Sequence, residues 1–74
     1  MKPILTPTEN YVTCLRLYGY TKKEIAGLMY RAPGTIKRHL RSVYEKAHVH
    51  NDIQLYNWYM KTELKLDIRK LLLQ

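Results

Sequence analysis

Phenylalanine is absent from this chain, and cysteine and tryptophan occur once each. A lone Cys14 cannot close an intramolecular disulfide, so no covalent staple holds the fold. That pattern fits a reducing cytosol, and Cys14 reads as a small core residue on a helix. Acidic residues are few: 6 Asp+Glu stand against 13 Lys+Arg, a net charge of +7. So large an excess favours a polyanionic partner, either nucleic acid or an anionic membrane surface. No apolar run is long enough to span a bilayer, and the opening MKPILTPTEN lacks the apolar core of a signal peptide. A cytoplasmic location is therefore expected. Repeats, low-complexity tracts and linkers are also missing. The 74 residues are expected to form one domain with one small core. There is no phosphate-binding glycine loop and no nucleophile–base pair, so an enzyme is not expected.

What is present is apolar and helical. Hydrophobic residues make up 46% of the chain, including seven Tyr, too many for a disordered tail. Thr6-Pro7-Thr8-Glu9 places Thr at an N-cap, Pro at the first helical position and Glu three residues after the cap. It predicts a first helix from about Pro7 to Tyr18, stopping near Gly19. Tyr11, Val12, Cys14, Leu15 and Tyr18 form its apolar stripe. Thr21-Lys22-Lys23-Glu24 is a second capping box and opens a short helix to about Met29 or Tyr30 that buries Ile25, Ala26 and Met29. Pro33 cannot lie inside that helix, so a third begins at or near it and runs to about Ala47.

At about 100° per residue, Ile36, Leu40, Val43 and Ala47 share one face of the third helix, with Tyr44 at its edge. Lys37, Arg38 and Arg41 fall on another, roughly opposite. A short capped helix, a tight turn and a longer helix with a basic outer face make a helix-turn-helix. The second helix of such a unit enters the major groove. Lys37, Arg38 and Arg41 lie in the part that faces base edges, and Arg and Lys suit the O6 and N7 acceptors of guanine. The expected partner is double-stranded DNA. A membrane surface is not favoured, because the basic stripe faces away from the apolar one on a helix the core needs.

From Leu5 to Leu55 the chain resembles the LuxR-type (GerE-like) helix-turn-helix domain. The residues that carry the resemblance are Leu5, Thr6 and Glu9, then Gly19 and Lys23-Glu24-Ile25-Ala26, then Thr35-Ile36-Lys37-Arg38-His39, and finally Tyr44, Lys46, Val49 and Asn51, in register without a gap. The resemblance implies a four-helix fold with the third helix in the major groove and the fourth used for dimerisation. It also implies a prokaryotic cell or its phage as the setting. Carried over by position, Lys37, Arg38 and Arg41 face the bases, while Thr35 and Thr21, Lys22 and Lys23 meet the DNA backbone. Several residues depart from the family pattern. Arg31 replaces an apolar turn residue and is expected to add a phosphate contact. Ala32 replaces a Ser cap, Tyr30 a frequent Gly, Asp52 a common Arg, and Asn10 and Tyr11 the usual charged residues. Family members usually carry a sensing domain ahead of this module. Without one, constitutive action or control through a protein partner is expected.

Asn51 and Asp52 can cap a fourth helix, with Gln54 at the box position. Helical periodicity continues to Leu71-Leu72-Leu73. Ile53, Tyr56, Met60 and Leu64 form one stripe; Leu55, Tyr59 and Leu66, flanked by Trp58, form another. A helix on a small core needs one apolar face. The second is expected to meet a symmetry mate, with Leu55, Trp58, Tyr59 and Leu66 as the first choice for the interface of a homodimer; the alternatives are the other stripe as interface, or a bend that folds both stripes onto the chain's own core. The expected fold class is thus all-α: a four-helix helix-turn-helix domain, core about 5–60, with an extended C-terminal helical segment over about 61–74. His39 reads as a residue packing near the first helix or touching a phosphate. His48-Val49-His50 lacks the Cys or carboxylate partners of a metal site, and no metal or cofactor is expected. The alternative to a DNA-binding regulator is an interaction module of the same fold. It would bind another regulator or RNA polymerase through its aromatic C-terminal face.

Overall fold

A side-chain oxygen opens three of the four helices. α1 (Pro7–Leu17) starts at Thr6, whose hydroxyl accepts from Glu9 N–H at 3.1 Å while the Glu9 carboxylate accepts from Thr6 N–H at 2.9 Å. α2 (Lys22–Met29) repeats this reciprocal pair with Thr21 and Glu24. α3 (Pro33–Ala47) has no side-chain cap, because Ala32 offers no oxygen; Pro33 fixes its entry instead. α4 (Asp52–Met60) starts at Asn51, whose Oδ1 accepts from Gln54 N–H at 2.8 Å. The return bond of that box goes one residue further back, from His50 N–H to Gln54 Oε1. These four elements come from a computed structural model that describes residues 5–62, and no strand occurs among the described residues.

The first three helices end alike. Each closes with a left-handed residue and a pair of bonds that satisfy its last carbonyls. Gly19 (φ 112°) ends α1, with Tyr20 N–H bonded to Leu15 C=O. Tyr30 (φ 55°) ends α2, with Arg31 N–H on Ala26 C=O. His48 (φ 56°) ends α3, with Val49 N–H on Tyr44 C=O. Glycine takes this conformation without penalty. Tyr30 and His48 do not, because their Cβ crowds the following carbonyl.

α3 is the central element, against which α1, α2 and α4 all pack. Val12, Leu15, Ile25, Ala26, Ile36 and Leu40 form the main core, joined by Tyr59 from α4. Leu5, Val43, Ala47 and Leu55 form a second cluster under the α4 end. The first-helix stripe is as the sequence predicts except at its ends. Tyr11 is half-buried, and Tyr18, which caps the helix, is exposed.

The fourth helix corrects the expectation for its faces. Leu55 is 0% exposed and Tyr59 2%, both inside this chain's own core. The Tyr59 hydroxyl donates to Asn10 Oδ1 at 2.5 Å, so even its polar tip is used internally. Trp58 is half-buried against both clusters. These three side chains therefore close the domain and do not form a free dimer face. The exposed stripe is the other one: Ile53 at 75%, Tyr56 at 50% and Met60 at 37%. Periodicity separates the stripes of a helix without saying which one meets the core. α4 stops at Met60, where Lys61 and Thr62 N–H turn back to the carbonyls of Trp58 and Tyr59. Leu64, Leu66 and the Leu71–Leu73 tail lie outside the described residues.

Candidate nucleic-acid interface

Which cations are free depends first on where the carboxylates go. Glu9 is buried, and burial alone would push its carboxyl up. The Lys46 ammonium at 2.6 Å, the Thr6 N–H and the Ser42 hydroxyl at 2.7 Å outweigh that and hold it at about 2. Glu9 thus clamps α1 to one flank of α3 and neutralises Lys46. Asp52 accepts from Arg16 at 3.1 Å and from the Tyr44 hydroxyl, tying the start of α4 to α1 and α3. Burial and that carboxylate push the Tyr44 phenol up to about 12, so it stays a donor. Arg16 is further fixed by its bond to Tyr20 C=O at 3.0 Å. Glu24 is held by its own cap; the Thr21 backbone N–H, then the Thr21 hydroxyl, lower its carboxyl.

Once those pairs are made, Lys22, Lys23, Arg31, Lys37 and Arg38 have no acidic partner among the described residues, and all five are exposed. Arg41 pairs with Glu45 at 3.6 Å, but their side chains are 83% and 72% exposed. A pair so open to water is worth well under about 1 kcal/mol, so Arg41 is free to leave it.

The helix period sorts α3 into three faces. Ile36, Leu40, Val43 and Ala47 are buried. Ser42 and Lys46 turn toward Glu9 on α1, and half-buried His39 belongs to the same flank. Lys37, Arg41 and Tyr44 lie on the other flank, with Arg38 at the exposed crest between the two. This second flank forms one wall of an open groove of about 670 Å³. Leu40, Tyr44 and Val49 floor it. Lys22 from the start of α2, Lys37 and Arg41 from α3, and His48 and His50 from the α3–α4 turn line it.

The structure thus brings together Lys22, Lys37 and Arg41 of the sequence-derived set. Arg38, Lys23 and Arg31 are exposed outside the groove, and Thr35 is half-buried in the first turns of α3. Two features escaped the sequence. Apart from the Tyr44–Asp52 bond, which spans eight residues, the Glu9 and Asp52 clamps join residues 33 to 37 positions apart, so no local pattern marks them. His48 and His50 attract notice in sequence only as a weak metal motif; their place beside three cations is a tertiary fact. Among the described residues, no three His, Cys, Asp or Glu side chains are grouped to hold a metal ion. No helix there is long and apolar enough to cross a membrane.

A family model described as GerE, bacterial regulatory proteins of the luxR family, matches residues 3–59. No curated protein and no solved structure matches the chain.

Proposed function

The chain belongs to the luxR family of bacterial regulatory proteins, and from that premise we propose that it regulates transcription by binding specific sequences of double-stranded DNA. The observation that carries the proposal is the sorting of charge. Every carboxylate that α1, α2 and α4 contribute to the described fold is taken up internally, while the start of α2 and the outer faces of α3 keep unpaired cations. A family whose members are regulators rather than enzymes gives that surface its natural ligand.

In this reading α3 lies in the major groove. Lys37, Arg38 and Arg41 reach base edges, with Arg fitted for bidentate bonding to guanine. Thr21, Lys22, Lys23, Arg31 and Thr35 meet phosphates and set the register of the helix on the duplex. Two copies join through the exposed α4 stripe of Ile53, Tyr56 and Met60, which is apolar and otherwise left in water. Their third helices would then stand about one turn of DNA, roughly 34 Å, apart on a pseudo-palindromic site.

The test is selection of bound sequences from random duplex DNA, with affinities then measured for the selected site and for an unrelated duplex. A conserved motif should emerge. Arg38→Ala should lose roughly 1–3 kcal/mol on that motif and little on the unrelated duplex. Failure to enrich any motif, or equal losses on both duplexes, would contradict sequence-specific reading by α3.

A further inference from the structure

The groove beside α3 contains two groups that neither the family match nor the base-reading scheme uses, His48 and His50. Both are exposed and line it together with Lys22, Lys37 and Arg41. His48 is also the residue that holds the left-handed turn closing α3, where glycine would be free of strain. The imidazole at that position is exposed and borders the groove. The charged groups that line the groove with the pair are Lys22 from α2 and Lys37, Arg41 and Glu45 from α3; Asp52 at the start of α4, two residues from His50, is held by Arg16 and Tyr44. Glu45 is partly engaged by Arg41. Lys22 and the two imidazoles, beside the base-reading Lys37 and Arg41, outnumber the one carboxylate and complement an anionic strand.

We propose that this groove seats the sugar–phosphate backbone of the DNA strand flanking α3, with His48 and His50 as phosphate ligands that bind most strongly when protonated. The inference rests on the DNA-binding reading above and adds a site and a condition to it. Imidazole gains its charge between about pH 8 and pH 5. A phosphate beside it favours the charged form, so binding takes up protons and tightens as the pH falls. The fold itself does not confound that window, because the Glu9 clamp stays ionised throughout it. His39 serves as the internal control, since it lies on the opposite flank of α3, toward α1.

The experiment measures affinity of the full chain for duplex DNA at pH 6 and pH 8, each over a series of salt concentrations. Wild type should bind roughly three- to tenfold tighter at pH 6. Its log–log salt slope should be steeper there by about 0.9 for each histidine that meets a phosphate. His48→Asn keeps a residue that tolerates the left-handed turn. Combined with His50→Gln it should remove both effects, whereas His39→Gln should retain them. Should the double variant fold poorly, equal wild-type slopes at the two pH values would still overturn the site, and the single variants His48→Asn and His50→Gln, each expected to lose part of the pH response, take its place. Binding to DNA with the same affinity and slope at both pH values would overturn the histidine site and leave the DNA-binding reading standing. The same holds if the pH response persists in the double variant. A folded chain that binds no duplex at either pH overturns both.

Discussion

Glu9 is the side chain on which most of the structure converges. It caps α1, and through Ser42 and Lys46 it fixes the flank of α3 opposite the groove. A folded carboxyl held near 2, against an ordinary value near 4.5, binds its proton less readily than the unfolded chain does. Its contribution is therefore complete above about pH 5 and is lost as the pH falls toward 2. The shift corresponds to about 3 kcal/mol. Urea unfolding followed by Trp58 fluorescence should show wild type losing about that much between pH 7 and pH 2 because of this one group. Glu9→Gln should start lower by a similar amount and respond much less to acid; equal acid responses would refute the assignment. Tyr30 illustrates the opposite balance. It is 95% exposed in a left-handed conformation, so the ring brings no burial to offset about 1 kcal/mol of strain. Tyr30→Gly should raise stability by roughly that amount in the same assay. A loss would show that the ring makes a contact in solution.

At the scale of elements, α2 and α3 are each weakened at one place. Gly27 lies in the interior of α2, exposed, and a Cβ added there would meet nothing within 4 Å. Alanine should therefore recover about 1 kcal/mol of backbone entropy. Ala32 precedes α3 without an oxygen for the orphan N–H groups of the first turn. Serine there should contribute about 1 kcal/mol as a cap. Thermal melts of Gly27→Ala and Ala32→Ser should each move up by several degrees. If Gly27→Ala is stabilising yet weakens DNA binding, the bare backbone of α2 approaches the duplex. The element-level pattern also explains why the basic stripe is usable. α3 is held on one flank by the Glu9 clamp and toward the end of the other by the Tyr44–Asp52 bond, so Lys37, Arg38 and Arg41 face out in a fixed orientation.

For the whole molecule the deciding question is what covers the exposed stripe of α4. Ile53→Lys, or a charge at Met60, should leave a folded chain, since both side chains are open to water. Either change should turn a dimer into a monomer by sedimentation and lower affinity for a two-half-site duplex far more than for a single half-site. Leu55→Asp should instead unfold the domain, because it buries a charge at a position with no exposure. A wild-type chain that remains monomeric at high concentration would refute the dimer. Across the molecule, binding should weaken steeply with salt, by a log–log slope of about 0.9 per phosphate contact.

The sequence by itself determined the helices and the polarity of α3. Capping boxes at Thr6 and Thr21, the positions of Pro7 and Pro33 and the stop at Gly19 are local signals, because the bonds they make span three or four residues. The period of Ile36, Leu40 and Val43 likewise separates core from cations on one helix without reference to any other. Tertiary structure decided the rest. Which stripe of α4 is buried is set where α4 meets the other helices: Leu55 and Tyr59 go to the core, while Asp52 is bound by Arg16 and Tyr44 at the surface. Which cations remain free depends on carboxylates distant in sequence, as with Lys46 and Glu9. The groove exists only because α2, α3 and the α3–α4 turn meet there. Local rules act through bonds along one helix, whereas faces, ion pairs and clefts arise where separate helices compete for the same neighbours.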